Sequence, residues 1–140
     1  MSPKILLRIA SIISFVFAAG HTLGGRTQWS PMGGNPVLDT MGKVHFQVMG
    51  VSRSYLDFFM GFGWSLSLGM LLQATLLWFT AVLAERDPKL ARPMIAAFAV
   101  NCAASVVISY LWLFPVPALF ALVLLVPLVL AWFATGKARG

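Results

Sequence analysis

Four side chains in the first half of this 140-residue chain could do chemistry: His21, His45, Arg53 and Asp57. An imidazole changes charge near neutral pH and can move a proton or ligate a metal. Asp57 lies at the mouth of a long apolar stretch, where an ionisable group is a functional candidate by default. His21 and Asp57 would make an acid and base pair for a proton-moving reaction if they came within hydrogen-bond distance. His21 and His45 together offer two axial ligands for a haem or two for a metal, with no third histidine to complete a site. Cys102 is the single cysteine, which excludes an intrachain disulfide and a CxxC pair, and no metal site is expected. Ser54 and Asp57 are also spaced three apart, as in a capping box, so Asp57 has a structural alternative. Arg53 is near enough to Asp57 in sequence to pair with it. The chain has no nucleophile elbow, phosphate loop, HExxH or paired carboxylates, which argues against hydrolysis and phosphoryl transfer.

The elements that position these groups follow from composition. Hydrophobic residues make up 59% of the chain and charged residues 10%, a balance that a soluble domain of this size could not hide from water. The net charge of +6 is carried by Lys and Arg flanking apolar runs, a placement that marks topology and excludes a nucleic-acid surface. Crossing a bilayer takes roughly 17 to 25 apolar residues. The sequence predicts one all-α transmembrane domain, a four-helix bundle with spans at about 5–23, 55–84, 93–113 and 118–135. Phe114-Pro115-Val116-Pro117 divides the last two. The first segment can also be read as a signal peptide, with Lys4 and Arg8 as its basic region.

Counting Lys and Arg gives seven on the side of the termini (Lys4, Arg8, Arg86, Lys89, Arg92, Lys137, Arg139) and three on the other (Arg26, Lys43, Arg53). The positive-inside rule then places both termini in the cytoplasm. The loop 24–54 faces outward and is the place for a site, because long structured loops in compact domains are usually functional. Residues 24–34 are rich in turn formers. Asn35-Pro36 reads as a cap with proline at the first helical position, opening a short interfacial helix to about Met49.

Within the bilayer, helices meet through small residues and polar groups. Gly61, Ser65, Gly69 and Gln73 share one face of the second span, and Ala97, Asn101, Ser105 and Ser109 share one face of the third. Gln73 and Asn101 are at matching depth and are expected to face each other. Such faces also suit a homo-oligomer.

His21-Thr22-x-Gly24-Gly25, followed by Arg53-Ser54-x-x-Asp57-Phe58-x-x-Gly61-Phe62-Gly63, with Arg86-Asp87-Pro88 and Arg92-Pro93 beyond, resembles an uncharacterised bacterial family of small four-span membrane proteins. The resemblance supports the span count and draws attention to His21, Arg53 and Asp57 but brings no activity; the expected location is the bacterial inner membrane. Three functions remain open. The leading one is a pocket in the outer leaflet for a hydrophobic or amphipathic small molecule, such as a lipid, quinone or isoprenoid, lined by Trp29, His45, Phe46, Phe58, Phe62, Trp64 and Tyr110. The second is an isomerase or cyclase working through His21 and Asp57 with Arg53, and the third a non-catalytic assembly subunit.

Overall fold

The computed structural model describes residues 1–137. Its elements are α1 (Pro3–Gly24), a 3₁₀ turn (Gly25–Thr27), α2 (Pro36–Lys43), β1 (His45–Val48), β2 (Val51–Ser54), α3 (Tyr55–Arg86), α4 (Pro88–Trp112) and α5 (Pro115–Lys137). The four long helices α1, α3, α4 and α5 are each long and apolar enough to cross a membrane. The chain is a multi-pass, essentially all-α membrane protein. It divides into two compact units, one made of Met1–Phe17 with the chain from Leu71 onward, the other of Ala18–Met70.

The first unit is a four-helix bundle. Leu6, Leu7 and Ala10 of α1, Leu77, Ala81 and Ala84 of α3, Ala91, Ile95 and Cys102 of α4, and Leu124, Leu128 and Ala131 of α5 form one buried core. Spacings of mostly three, four or seven residues put each set on one face of its helix. Five of these twelve residues are alanines and a sixth is Cys102, while Phe79, Val100, Leu119 and Phe133 stand more than half exposed. Large apolar groups outside and small ones inside is the arrangement expected of helices solvated by lipid, where close backbone approach holds the bundle together.

The hydroxyl and amide side chains named here bond to one another, to a carbonyl of a neighbouring helix or to their own helix. Ser11 donates to the Ala74 carbonyl (2.7 Å), Asn101 Nδ2 donates to Gln73 Oε1 (3.1 Å), and Gln73 Nε2 donates to Ser14 Oγ (3.4 Å). Gln73 thus links α1, α3 and α4. Thr75, Thr80, Ser105 and Thr135 each donate to the carbonyl four residues earlier, which satisfies a hydroxyl without a partner helix. Where α1 begins and α3 ends, Lys4 pairs with Glu85 at 2.9 Å, and the Arg8 guanidinium lies over the Trp78 ring. Arg92 of α4 lies over Trp132 of α5 in the same manner.

Three of the long helices start before the spans expected from sequence, α1 at Pro3, α4 at Pro88 and α5 at Pro115. Asp87 caps α4 by accepting from the backbone N–H groups of Lys89 and Leu90, so that helix starts at Pro88 and the turn before it is a single residue. Prolines are tolerated in a first turn, whose N–H groups lack helical partners anyway. The same property lets α5 start at Pro115 with Pro117 in its first turn.

In the second unit, Asn35 caps α2 through Val37 and Leu38 N–H, with Pro36 next, as the sequence predicts. The helix does not continue to Met49. It stops at Lys43, and His45–Val48 pairs antiparallel with Val51–Ser54 in the register His45 to Ser54, Phe46 to Arg53, Gln47 to Ser52 and Val48 to Val51. Met49 and Gly50 close the hairpin with φ of 49° and 79°. Two positive φ values in a two-residue loop match the twist of the strands it joins. Val44, Val48 and Val51 prefer that extended backbone to a helix. The apolar side chain that α2 buries is Leu38, while Val37 and Val44 are exposed.

Candidate functional site

The candidate residues of the Ala18–Met70 unit fall into three groups. The first is built around Trp29. Gln28 and Trp29 both adopt left-handed backbone (φ 54° and 49°), which turns the chain back after the 3₁₀ turn. Trp29 N–H donates to the Gly24 carbonyl (2.9 Å), and its indole Nε1 donates to the His21 carbonyl (2.7 Å). The indole is seated on three glycines: a Cβ on Gly24 or Gly25 would come to 3.0 Å from it, and one on Gly63 would overlap it. Trp64 meets its edge at 5.1 Å between centroids, and the His21 ring lies at 5.3 Å. The seat brings Trp29, Trp64 and His21 together.

His21 Nδ1 is 2.9 Å from Ser67 Oγ, and Ser67 Oγ donates to the Gly63 carbonyl at 3.2 Å. A hydroxyl has one proton, so both bonds form together only when Nδ1 carries the hydrogen and donates it. His21 therefore serves to tie α1 to α3 beside the Trp29 seat.

The second group is the start of α3. Asp57 Oδ2 accepts from Ser54 N–H (2.8 Å), and Asp57 N–H donates to Ser54 Oγ (3.0 Å). This is the reciprocal capping box, which satisfies two backbone and side-chain groups at the N-terminus and sets a carboxylate at the positive end of the helix dipole. Asp57 and His21 do not form a pair. Ser67, the partner of His21, lies ten residues beyond Asp57, or about 15 Å along a helix. Arg53 does not pair with Asp57 either. Its side chain is exposed and donates to the Ser52 carbonyl (2.9 Å), and the only ion pair among the described residues is that of Lys4 with Glu85.

The third group is aromatic. Phe46 meets Tyr55 at 5.1 Å and Phe58 at 5.5 Å, and Phe58 meets Phe62 at 5.3 Å, mostly edge to face. Such pairs contribute beyond the area they bury. Phe58 and Phe62 remain 48% and 67% exposed, too open for a closed aromatic lining. Tyr55 also borders an apolar cleft of about 430 Å³, whose other walls are Pro36, Val37, Thr40, Met41 and Val44. Sequence reasoning placed none of these six among the ligand residues. Tyr55 was visible as an aromatic beside the Ser54 cap, and α2 as an amphipathic helix, but their approach depends on the hairpin.

The remaining candidates lie apart from these groups. His45 is exposed on β1 and donates from Nδ1 to the Lys43 carbonyl (2.9 Å). It has a different partner from His21, and among the described residues no three His, Cys, Asp or Glu side chains gather as metal ligands. Tyr110 stands 82% exposed on α4, in the other unit, and Gln73 and Asn101 form their bond in that unit's bundle. Of the expected packing face on α3, Gly61 and Gly69 have nothing within 4 Å of where a Cβ would be. Compared with models of protein families, with curated proteins and with solved structures, the chain shows no match.

Proposed function

We propose that this chain is a protein of the bacterial inner membrane, of the four-span kind its motifs resemble, whose Ala18–Met70 unit binds a hydrophobic or amphipathic small molecule such as a quinone, isoprenoid or lipid. The observation that carries this reading is the cleft between α2 and Tyr55, whose volume of about 430 Å³ falls in the range of small-molecule sites. Its walls are apolar, and the Thr40 hydroxyl is already bonded to the Pro36 carbonyl (2.8 Å). The Tyr55 hydroxyl has no hydrogen-bond partner among the described residues, which leaves it to meet a ligand carbonyl or hydroxyl. The Phe46, Phe58 and Phe62 ladder starting at Tyr55 offers an aromatic path for a tail.

The test is binding of a short-chain benzoquinone to detergent-purified protein, read by native mass spectrometry. Met41→Trp fills the cleft and is expected to abolish binding. Tyr55→Phe keeps the ring and removes one hydrogen bond, a loss of about 1 kcal/mol or roughly fivefold in affinity. Wild-type affinity in Met41→Trp would overturn the reading. The same spectra test a second reading, an assembly subunit, favoured by the open positions at Gly61 and Gly69: it requires a homo-oligomer that Gly61→Leu or Gly69→Leu dissociates.

The seven Lys and Arg beside the termini against three beside the loop support an orientation with both termini in the cytoplasm and the cleft on the outer face. With Cys102→Ser as background, a membrane-impermeant maleimide is expected to label Gly34→Cys in intact spheroplasts and Lys89→Cys only after permeabilisation. The reverse pattern would invert the topology.

A further inference from the structure

Along α1, Arg8, Ser11, Ile12 and Phe15 follow one another at the spacing of a single helix face. The last three of these, with Leu71, Ala74, Thr75, Trp78 and Phe79 of α3, line a groove of about 420 Å³ in the four-helix unit. The groove is apolar in effect, because its hydroxyls are engaged: Ser11 donates to the Ala74 carbonyl and Thr75 to the Leu71 carbonyl. Arg8 stands at its head, with the guanidinium carbon 3.2 Å from the centroid of Trp78, a groove-lining residue. Among the described residues no carboxylate pairs with Arg8, and its buried Nε has no hydrogen-bond partner. The Nε is shut away from any ligand, but Arg8 as a whole is only half-buried and its terminal N–H groups are not bonded within the described residues, which leaves them for a phosphate oxygen, the acceptor that a guanidinium meets through parallel hydrogen bonds.

The surroundings make that phosphate part of a lipid. Arg8 lies five residues into α1, about 8 Å along the helix, where a long basic side chain reaches the headgroup layer. Lys4, Arg8, Arg86, Lys89 and Arg92 outnumber Glu85 and Asp87 around the same helix ends, and a surplus of this kind favours anionic headgroups. Arg92 over Trp132 repeats the pairing and also has an unmatched Nε, but the groove opens beside Arg8. We infer that the groove between α1 and α3 is a site for one anionic glycerophospholipid, with its phosphate on Arg8 and an acyl chain between Ile12, Phe15, Leu71 and Phe79. The indole of Trp78 holds the guanidinium flat at the junction of headgroup and chain.

The experiment is titration of delipidated protein in mild detergent with phosphatidylglycerol, phosphatidylcholine or inorganic phosphate, read by native mass spectrometry. One phosphatidylglycerol is expected to bind about tenfold more tightly than phosphatidylcholine, and millimolar inorganic phosphate should not displace it. Arg8→Gln is expected to weaken binding by about tenfold, with Arg8→Lys recovering part of the loss. Thr75→Phe blocks the groove from its exposed side while leaving Arg8 in place, and should also abolish the one-to-one adduct. Lys43→Gln, which removes an equal charge from α2 in the other unit and does not touch the groove, should bind as wild type. Wild-type affinity in Arg8→Gln, an intact adduct in Thr75→Phe, or displacement by inorganic phosphate would overturn the assignment. The last result would mean a free-anion site.

Discussion

Alanine at Gly63 is expected to destabilise the Ala18–Met70 unit by about 1–3 kcal/mol, the cost typical of overpacking, and leucine by more. Any Cβ at this position overlaps the six-membered part of the Trp29 indole, so the ring must leave its seat. Movement there is resisted from several sides. The indole nitrogen is bonded to the His21 carbonyl, Gly24 and Gly25 are packed against the ring, and Trp64 contacts its edge. The effect should be visible as faster amide exchange in residues 24–34 and as a change in tryptophan fluorescence, with α4 and α5 unaffected. The cause can be isolated by a double-mutant cycle. With Trp29→Ala the space at Gly63 opens, and alanine at Gly63 should then be close to neutral, because residues in contact couple and separated ones do not. A full cost of Gly63→Ala persisting without the indole would place its origin in the backbone of α3 and overturn the seat.

The Trp29 seat also marks the boundary of what could be read from the residues alone. Gly24-Gly25 was legible as the end of a helix, and Gly63 as one small residue among several on the second span. Their joint service to one indole arises from two consecutive left-handed residues, Gln28 and Trp29, neither of which is a glycine. The hairpin was hidden for a related reason: its turn puts methionine at positive φ ahead of Gly50, where the usual signal is asparagine or aspartate. Local signals with a single physical cause were readable. Asn35 before Pro36 names a cap, and Ser54 with Asp57 three residues later names a capping box. The depth of Gln73 and Asn101 placed them opposite each other because both positions count from the same short turn. Small-residue spacing, in contrast, identifies a face without its partner. Gly61 and Gly69 share a face with Gln73, yet a Cβ at either would meet nothing within 4 Å, while Gln73 bonds Asn101. The chemical candidates dispersed because a histidine and a carboxylate that are distant in sequence can be judged close only once each has a partner. His21 has Ser67 and Asp57 has Ser54.

Truncating Leu77 to alanine is expected to cost about 1–3 kcal/mol of stability, the cavity part of such a change, whereas the same change at Phe79 or Leu72 should cost well under half as much. Leu77 is fully buried, while Phe79 is 63% and Leu72 59% exposed on the same helix. In water, removing a large exposed apolar group can be neutral or better, and burial alone would rank these sites. In a bilayer the transfer term nearly vanishes for every position, since lipid tails are as apolar as the core. What remains at Leu77 is the cavity and its lost dispersion contacts, in a core where five of twelve residues are alanines that cannot extend to fill it. Steric trapping or reversible unfolding in mixed micelles would measure the difference. If Leu77→Ala and Phe79→Ala proved equally mild, packing at the shared face of α1, α3, α4 and α5 would not be what holds the bundle together. The polar bridge through Ser14, Gln73 and Asn101 would then have to supply most of its cohesion, and Gln73→Leu would become the most damaging substitution in the unit.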